Sequence, residues 1–600
     1  SQIAHVVRPG CDEAGSRGEE KVTPRFKVGR FKAMRCTGGQ SDGLRVGFLI
    51  LVSQILKGKN DNMDQFTLNF ELNNNSPVTC LGMTFPSDEE RRRYFTKKLR
   101  EFLADPEFRK IEGFPIGSDE DILALSDPPY YTACPNPWIA DFIAEWEEDK
   151  KVQSSKLESS KSGDPSTLNY HREPFAADVS EGKNHPIYNA HSYHTKVPHR
   201  AIMRYILHYT EPGDIVFDCF CGTGMTGVAA HMCGNREEVE ALGYKVKDDG
   251  AILQEGMDED GKKVWKPFSK LGVRRAVLND LSPAATFIAY NYNTPVDLAA
   301  SQEEAKRILK EVKEECGWMY ETLHNDGKTK GRINYTVWSD VFVCPECTNE
   351  LVFWDAAFDK KTARVYKEFP CPNCHSLLTK RSLDRVWITK YDSALKNSTK
   401  QAKQVPILIN YSVGGKRFEK IPDEADLALI DKIEGSETPY WFPIDRVPDG
   451  FNTKQPKMSH GITHVHHFYS KRNLICAAGF WSHLPRKLKW IATAFLSRNL
   501  TKLNRYVVNP HNPKGRVNGP LTGTLYIPSE VVEQSALELF KDKIIKAGWK
   551  TKGNLIQTSS ATQLHKFPDN AADYLFIDPP FGANIMYSEL SFIWESWLAL

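Results

Sequence analysis

Glu211-Pro-Gly-Asp-Ile-Val-Phe-Asp218-Cys-Phe-Cys-Gly222-Thr-Gly224-Met-Thr226 is the stretch on which the fold turns. A Pro-Gly turn leads into Ile215–Phe217, a short apolar, β-branched run that reads as a strand. Asp218 closes the strand, a Gly-x-Gly turn follows, and a helix is expected from about Thr226. Strand, glycine-rich turn and helix in that order are what a nucleotide-type loop needs. The glycines let the backbone approach a ligand, and the helix start offers free N–H groups. No Lys-Ser/Thr follows, so this is not a phosphate P-loop. A carboxylate at Asp218 suits an ammonium group. A second acid, Asp280, ends the next strand candidate, Arg275-Ala-Val-Leu-Asn-Asp280. An acid at that place typically bonds ribose hydroxyls, usually about 20 residues beyond the loop. A polar insertion at roughly 235–270 accounts for the longer offset here. Without a ligand, the same residues make a tight turn and a helix cap.

The rest of the chain sets bounds on function. Its 600 residues are 40% apolar and 26% charged, as in an ordinary globular protein, and the net charge of +2 identifies no partner. The longest apolar run, Val46 to Leu56, is shorter than the roughly 20 residues a bilayer span requires. No signal peptide is visible, although the chain starts at Ser1, so the expectation is a cytoplasmic protein with no membrane partner. Of 13 cysteines, four form two tight pairs and nine are scattered, which suits a reducing compartment with one metal site.

Late in the chain the apolar run Tyr574–Ile577 ends in Asp578-Pro579-Pro580-Phe581. A second Asp-Pro-Pro-aromatic, Asp127-Pro-Pro-Tyr130, precedes the glycine turn. Either copy alone reads as a proline-rich loop. Asp578 is the preferred one, because its preceding run is strongly apolar, as a central strand should be. The run before Asp127 fits a helix or loop equally well.

With His194-Thr195-Lys196-Val-Pro198 upstream of the loop, these stretches resemble the joined motifs of amino-methylating DNA methyltransferases. The resemblance implies S-adenosylmethionine as cofactor, held by Thr195, Lys196, Pro198, Asp218, Phe220, Gly222, Gly224 and Asp280. Cys219 stands where the family usually has Pro. The tetrapeptide has a chemical rationale. An exocyclic base amine is a poor nucleophile because its lone pair is delocalised into the ring. A carboxylate and a backbone carbonyl that accept its two hydrogens free that lone pair. Prolines hold the carbonyl in place. An aromatic face stacks on a base taken out of the duplex. Asp rather than Ser at the first position leans toward adenine N6 over cytosine N4.

Cys344-Pro-Glu-Cys347 and Cys371-Pro-Asn-Cys374 give the spacing Cys-x2-Cys-x23-Cys-x2-Cys, the pattern of a zinc ribbon. Four thiolates leave no open position, so the expected zinc is structural. The combination resembles the zinc-ribbon-containing adenine-specific DNA methylases. Asn169–Phe175 and Asn584–Leu590 also fit that resemblance, which covers most of 83–600. Between 451 and 552 there are 17 Lys and Arg against four Asp and Glu, interleaved with aromatics. That reads as a surface for double-stranded DNA, with a merely solvated basic face as the bland alternative. Within it, His464, His466 and His467 also offer a minor zinc-site reading.

The expected fold is α/β, a doubly wound, Rossmann-like methyltransferase sheet interrupted by a zinc ribbon and a target-recognition-like insertion. Expected segments are 1–82, unassigned and outside the functional protein; 83–185, an extension with a linker at 151–166; 186–300, the cofactor half; 301–395, a helix and the ribbon; 396–550, the basic insertion; and 551–600, the catalytic half. Such a sheet needs strands after the catalytic one, so the chain reads as a fragment. Competing readings are an RNA or protein amide methyltransferase and a non-catalytic zinc-ribbon DNA-binding protein. Cytosine C5 methylation would need Pro-Cys, whereas Ala133-Cys134-Pro135 has the order reversed. The resemblance leaves room for restriction or phage-defence partner proteins.

Overall fold

Every residue of Ile215–Asp218 is buried, as is every residue of Leu555–Thr558, and Arg275–Asp280 is buried except at its ends. Strands covered on both faces belong inside a parallel sheet, and the computed structural model has one. It describes residues 76–158, 172–359, 362–509, 512–544, 553–580 and 585–599. The sheet strands are β1 (Tyr131–Thr132), β2 (Ile215–Asp218), β3 (Arg275–Asp280), β4 (Leu555–Thr558) and β5 (Tyr574–Leu575). Their spatial order is β5-β2-β3-β4-β1, all parallel.

Four helices matter for the site: α1 (His199–Tyr209), α2 (Met225–Met232), α3 (Pro283–Tyr292) and α4 (Tyr587–Leu598). From β2 the chain runs through α2 to β3 and, much later, to β4 on one side; β5 then pairs on the other side of β2. The order of strands therefore reverses at β2. In open α/β sheets, ligands bind at such a switch point, outside the carboxyl ends of the strands. The mixed α/β architecture is consistent with a Rossmann-like methyltransferase fold.

The polar stretch before β3 forms a three-stranded antiparallel sheet, Lys245–Val246, Ala251–Met257 and Lys263–Lys270. The helix expected within 301–395 spans Leu298–Cys316, starting just before that segment. Between α3 and β4 lies a second, antiparallel sheet built on the 14-residue strand Lys330–Val343. That strand pairs with Gln404–Val413 on one side and Glu530–Gln534 on the other. Segments 301–395 and 396–550 therefore share one sheet, because a pairing partner for a long strand need not be near it in sequence.

The N-terminal expectations fare unevenly. Residues 1–75 lie outside the described residues. Val78–Cys80 pairs with Met83–Phe85, so a boundary at 82/83 falls inside a hairpin. Ser87 caps the helix Asp88–Leu103, its Oγ accepting from Glu90 N–H. The linker expected at 151–166 is not all linker, since the helix Ile139–Glu158 runs into it; residues 159–171 are outside the described set. No helix among the described residues is long and apolar enough to cross a membrane.

Candidate active site

Asp218 sits at the carboxyl end of β2, and Asp578 lies three residues past Leu575, the end of β5. Tyr574 and Leu575 pair in register with Val216 and Phe217, and this aligns the two strand ends. A cavity of about 610 Å³ opens there, within the range of small-ligand sites. Its wall includes Thr195, Lys196, Asp218, Phe220, Gly222, Asp280, Asp578 and Pro580 among the residues singled out from sequence. Pro198 instead precedes α1 as its cap, and Gly224 precedes α2. Phe581 lies outside the described residues.

The loop is fixed by its own acids. Asp218 Oδ1 accepts from Phe220 N–H (3.1 Å), and Oδ2 accepts from Thr226 Oγ1 (2.5 Å). Asp280 Oδ2 accepts from Gly222 N–H (2.9 Å), tying the ends of β2 and β3 together. Gly224 has φ +71°, and a Cβ there would stand 2.7 Å from Ala289 Cβ and from Asn293 Nδ2. The glycine is required both by the left-handed backbone and by the close approach of α3. Gly222, at φ +49°, leaves an open face toward Tyr193, whose ring would be 3.4 Å from an added Cβ.

Charge distinguishes this cavity. Burial pushes the Asp218 carboxyl up to about 7, with nearby Asp280 and Asp578 adding to the shift. Asp280 and Asp578 are also raised by desolvation. A fourth acid, Glu595 of α4, is raised to about 7 by burial and by Asp280, and its Oε1 accepts from Ser282 Oγ at 2.7 Å. The cation at the wall is already engaged: Lys196 Nζ donates to the carbonyls of Tyr188 and His191, and burial lowers it to about 7. Four desolvated carboxylates around one cavity fit a cationic ligand. Thr223 Oγ1, also at the wall, is buried without a hydrogen-bond partner among the described residues. The donor set thus matches a ligand with a positive centre and polar edges, such as S-adenosylmethionine.

Sequence reasoning missed Glu595, Tyr193 and Tyr587, whose hydroxyl pairs with Thr195 Oγ1 at 2.8 Å. One available signal was helical spacing after the tetrapeptide, which puts Ser588 and Glu595 on one face of α4.

The other Asp-Pro-Pro-aromatic lies elsewhere. Asp127 precedes β1, at the opposite edge of the sheet from β5. Its Oδ1 accepts from Arg91 Nη2 (3.1 Å), its Oδ2 from the Tyr290 hydroxyl (2.7 Å), and Arg486 stands 3.9 Å away. Asp127 does not line the cavity.

The four ribbon cysteines converge. Cys344 and Cys374 Sγ are 3.8 Å apart, as are Cys347 and Cys371 Sγ. A tetrahedral ion with Zn–S bonds of about 2.3 Å sets sulfurs about 3.8 Å apart. The pairs Cys344/Cys347 and Cys371/Cys374 sit on two separate turns of the same kind. Thr348 N–H bonds Cys344 O (2.9 Å) and His375 N–H bonds Cys371 O (3.0 Å), with Thr348 and His375 at φ +61° and +63°. The cluster can bind zinc; His375 is not one of its members.

The basic insertion is less exposed than its composition suggests. Arg472 is buried against Glu533, and Arg486 points inward to Leu125 O and Tyr290.

Residues 92–259, less than a third of the chain, match a family model described as DNA methylase, of the N6/N4 methyltransferase type. The match supports an amino-methylating DNA methyltransferase, and that class implies S-adenosylmethionine and a DNA substrate. The matched stretch holds Asp127–Tyr130, Thr195, Lys196 and the loop from Asp218 to Gly224, and ends before Asp578. No curated protein and no solved structure matches the chain.

Proposed function

We propose that this chain is an S-adenosylmethionine-dependent DNA methyltransferase that methylates an exocyclic amine, adenine N6 ahead of cytosine N4, on a base turned out of the duplex. The carrying observation is the acid-lined cavity at the strand-order switch, with Asp218, Asp280, Asp578 and Pro580 on its wall. When bound, S-adenosylmethionine supplies a methyl group on a sulfonium centre. Asp218, Asp280 and Glu595 complement the positive charge and hydroxyls of such a ligand, and Thr195, Lys196 and Phe220 wall it in. The Asp578 carboxylate accepts one amine hydrogen, and a backbone carbonyl of the proline pair accepts the other, freeing the nitrogen lone pair. Desolvation makes Asp578 a stronger proton acceptor than an exposed aspartate. Phe581 stacks on the flipped base. The four cysteines hold a structural zinc, and 396–550 contributes to target recognition on double-stranded DNA.

The family match favours a second reading, in which Asp127-Pro-Pro-Tyr130 is the catalytic copy. Methyl transfer from labelled cofactor to DNA, followed by nucleoside analysis, tests both. Label is expected on N6-methyladenine. Asp578→Ala should lose about 10²–10⁴-fold in turnover, the range for a positioned acid–base group. Asp127→Ala should keep turnover per folded molecule. Full activity in Asp578→Ala would reverse the assignment. Label on N4-methylcytosine would replace adenine, and label on cytosine C5 or on protein alone would refute the class.

A further inference from the structure

The His464-Val-His-His467 run and a distant aspartate meet in the insertion. Asp392 ends the strand Trp387–Asp392 of a hairpin, and His466 and His467 lie on the 3-10 turn Val465–Phe468. Asp392 Oδ1 is held by Ala394 N–H (3.1 Å) and Leu395 N–H (3.2 Å). Its free oxygen, Oδ2, stands 2.8 Å from Nε2 of His466 and 2.8 Å from Nε2 of His467. All three donor atoms lie within 4.8 Å of one another. The side chains are 11%, 7% and 2% exposed in that order, so the set is enclosed by the fold. His464 is not a member; its Nδ1 pairs with Thr463 Oγ1 at 3.0 Å. All three members line a second cavity, of about 470 Å³ and remote in sequence from the cofactor loop.

We propose that Asp392, His466 and His467 bind one divalent transition-metal ion, distinct from the cysteine site, with coordination positions left open to this cavity. Two imidazole nitrogens and one carboxylate oxygen are a donor set for zinc, iron, cobalt or nickel; calcium and magnesium prefer oxygen alone. Metal–ligand bonds of about 2.0–2.2 Å place tetrahedral donors about 3.3 Å apart. The observed contacts need to open by only about half an ångström. Thr463 Oγ1, 3.3 Å from His467 Nδ1, can accept a hydrogen bond from Nδ1–H in the tautomer whose Nε2 takes a metal. Without metal, Asp392 Oδ2 instead accepts Nε2–H from both rings, and Thr463 N–H faces His467 Nδ1 at 3.3 Å. Lys502 on the same wall suits water or an anionic oxygen in the open position.

The test is metal loading of the stripped, full-length chain with Zn(II), and separately with Co(II). The wild type is expected to take up two equivalents of zinc, with both sulfur and nitrogen/oxygen scatterers at the zinc absorption edge. Asp392→Asn and His466→Gln should each bind one equivalent, with the thiolate-to-cobalt charge-transfer band of the cysteine site unchanged. A wild-type chain that binds zinc through sulfur alone would overturn the proposal and reduce the trio to a hydrogen-bonded cluster. Two equivalents retained in both variants would overturn it as well. The wild-type measurement does not depend on either variant folding.

Discussion

At Asp218 and Glu595 the cost of burial and the use of the site meet. In the ligand-free chain both carboxyls take up protons near pH 7. Raising the pH from 6 to 8 ionises them in place, and a cationic ligand gains by it. Cofactor affinity should therefore rise over that range, and calorimetry in buffers of different ionisation enthalpy should record proton release on binding below pH 7. The same shifts act on stability. Between about pH 4, where an unfolded carboxylate titrates, and about pH 7, the folded state holds protons that the unfolded chain has lost. Stability of the ligand-free chain should fall as pH rises through that window, and the thermal shift produced by cofactor should grow. A cofactor-induced shift that is flat from pH 6 to 8 would contradict this. Gly224→Ala tests the loop backbone. Its methyl would meet Ala289 and Asn293 at 2.7 Å in a left-handed conformation. A loss of about 1–3 kcal/mol in denaturant unfolding is expected, with weakened cofactor binding.

At the scale of elements, the segment carrying the four cysteines is the part that would depend most on the proposed metal. It is built on a small hydrophobic cluster of its own, around Phe342, Leu351, Phe353, Phe369 and Leu378, apart from the main core. A cluster that small does not offset the chain entropy of the ordered turns. Chelation, or Cys371→Ser, should therefore raise amide exchange across roughly 344–383 while the parallel sheet keeps its protection. Hydrogen exchange read by mass spectrometry separates the two regions. Equal protection of the cysteine segment with and without zinc would show that its fold does not depend on the proposed metal.

Over the whole molecule, Asp127 works as a joint. Arg91 on the N-terminal helix, Tyr290 on α3 and Arg486 in the insertion all converge on one buried carboxylate. Asp127→Ala would remove the shared carboxylate but leave Arg91 on Asp88 and the Pro128 carbonyl, and Arg486 on Leu125 O and the Tyr290 hydroxyl, at a cost of about 1–3 kcal/mol. Its expected signature is a lowered melting temperature with methyl transfer per folded molecule preserved, whereas Asp578→Ala should keep the melting temperature and lose transfer. The two copies of one tetrapeptide thus separate by measurement, stability for one and chemistry for the other.

The strand–glycine–helix stretch, the acids at Asp218 and Asp280 and the cysteine spacing were legible in the sequence. Each is a local pattern: a buried strand, a left-handed backbone conformation that favours glycine, two turns that each present two thiols. The far-edge position of Asp127, the arrival of Glu595 at the cavity wall and the meeting of Asp392 with His466 and His467 were not legible. Nor was the inward turn of Arg472 and Arg486, which composition counted as surface charge. These depend on which strands pair and on which side of β2 the chain returns, and no local run encodes that. Sequence by itself determined the chemistry of the loop from Asp218 to Gly224; only the tertiary structure decided which residues share a cavity with it, because desolvation and proximity are properties of the packed chain.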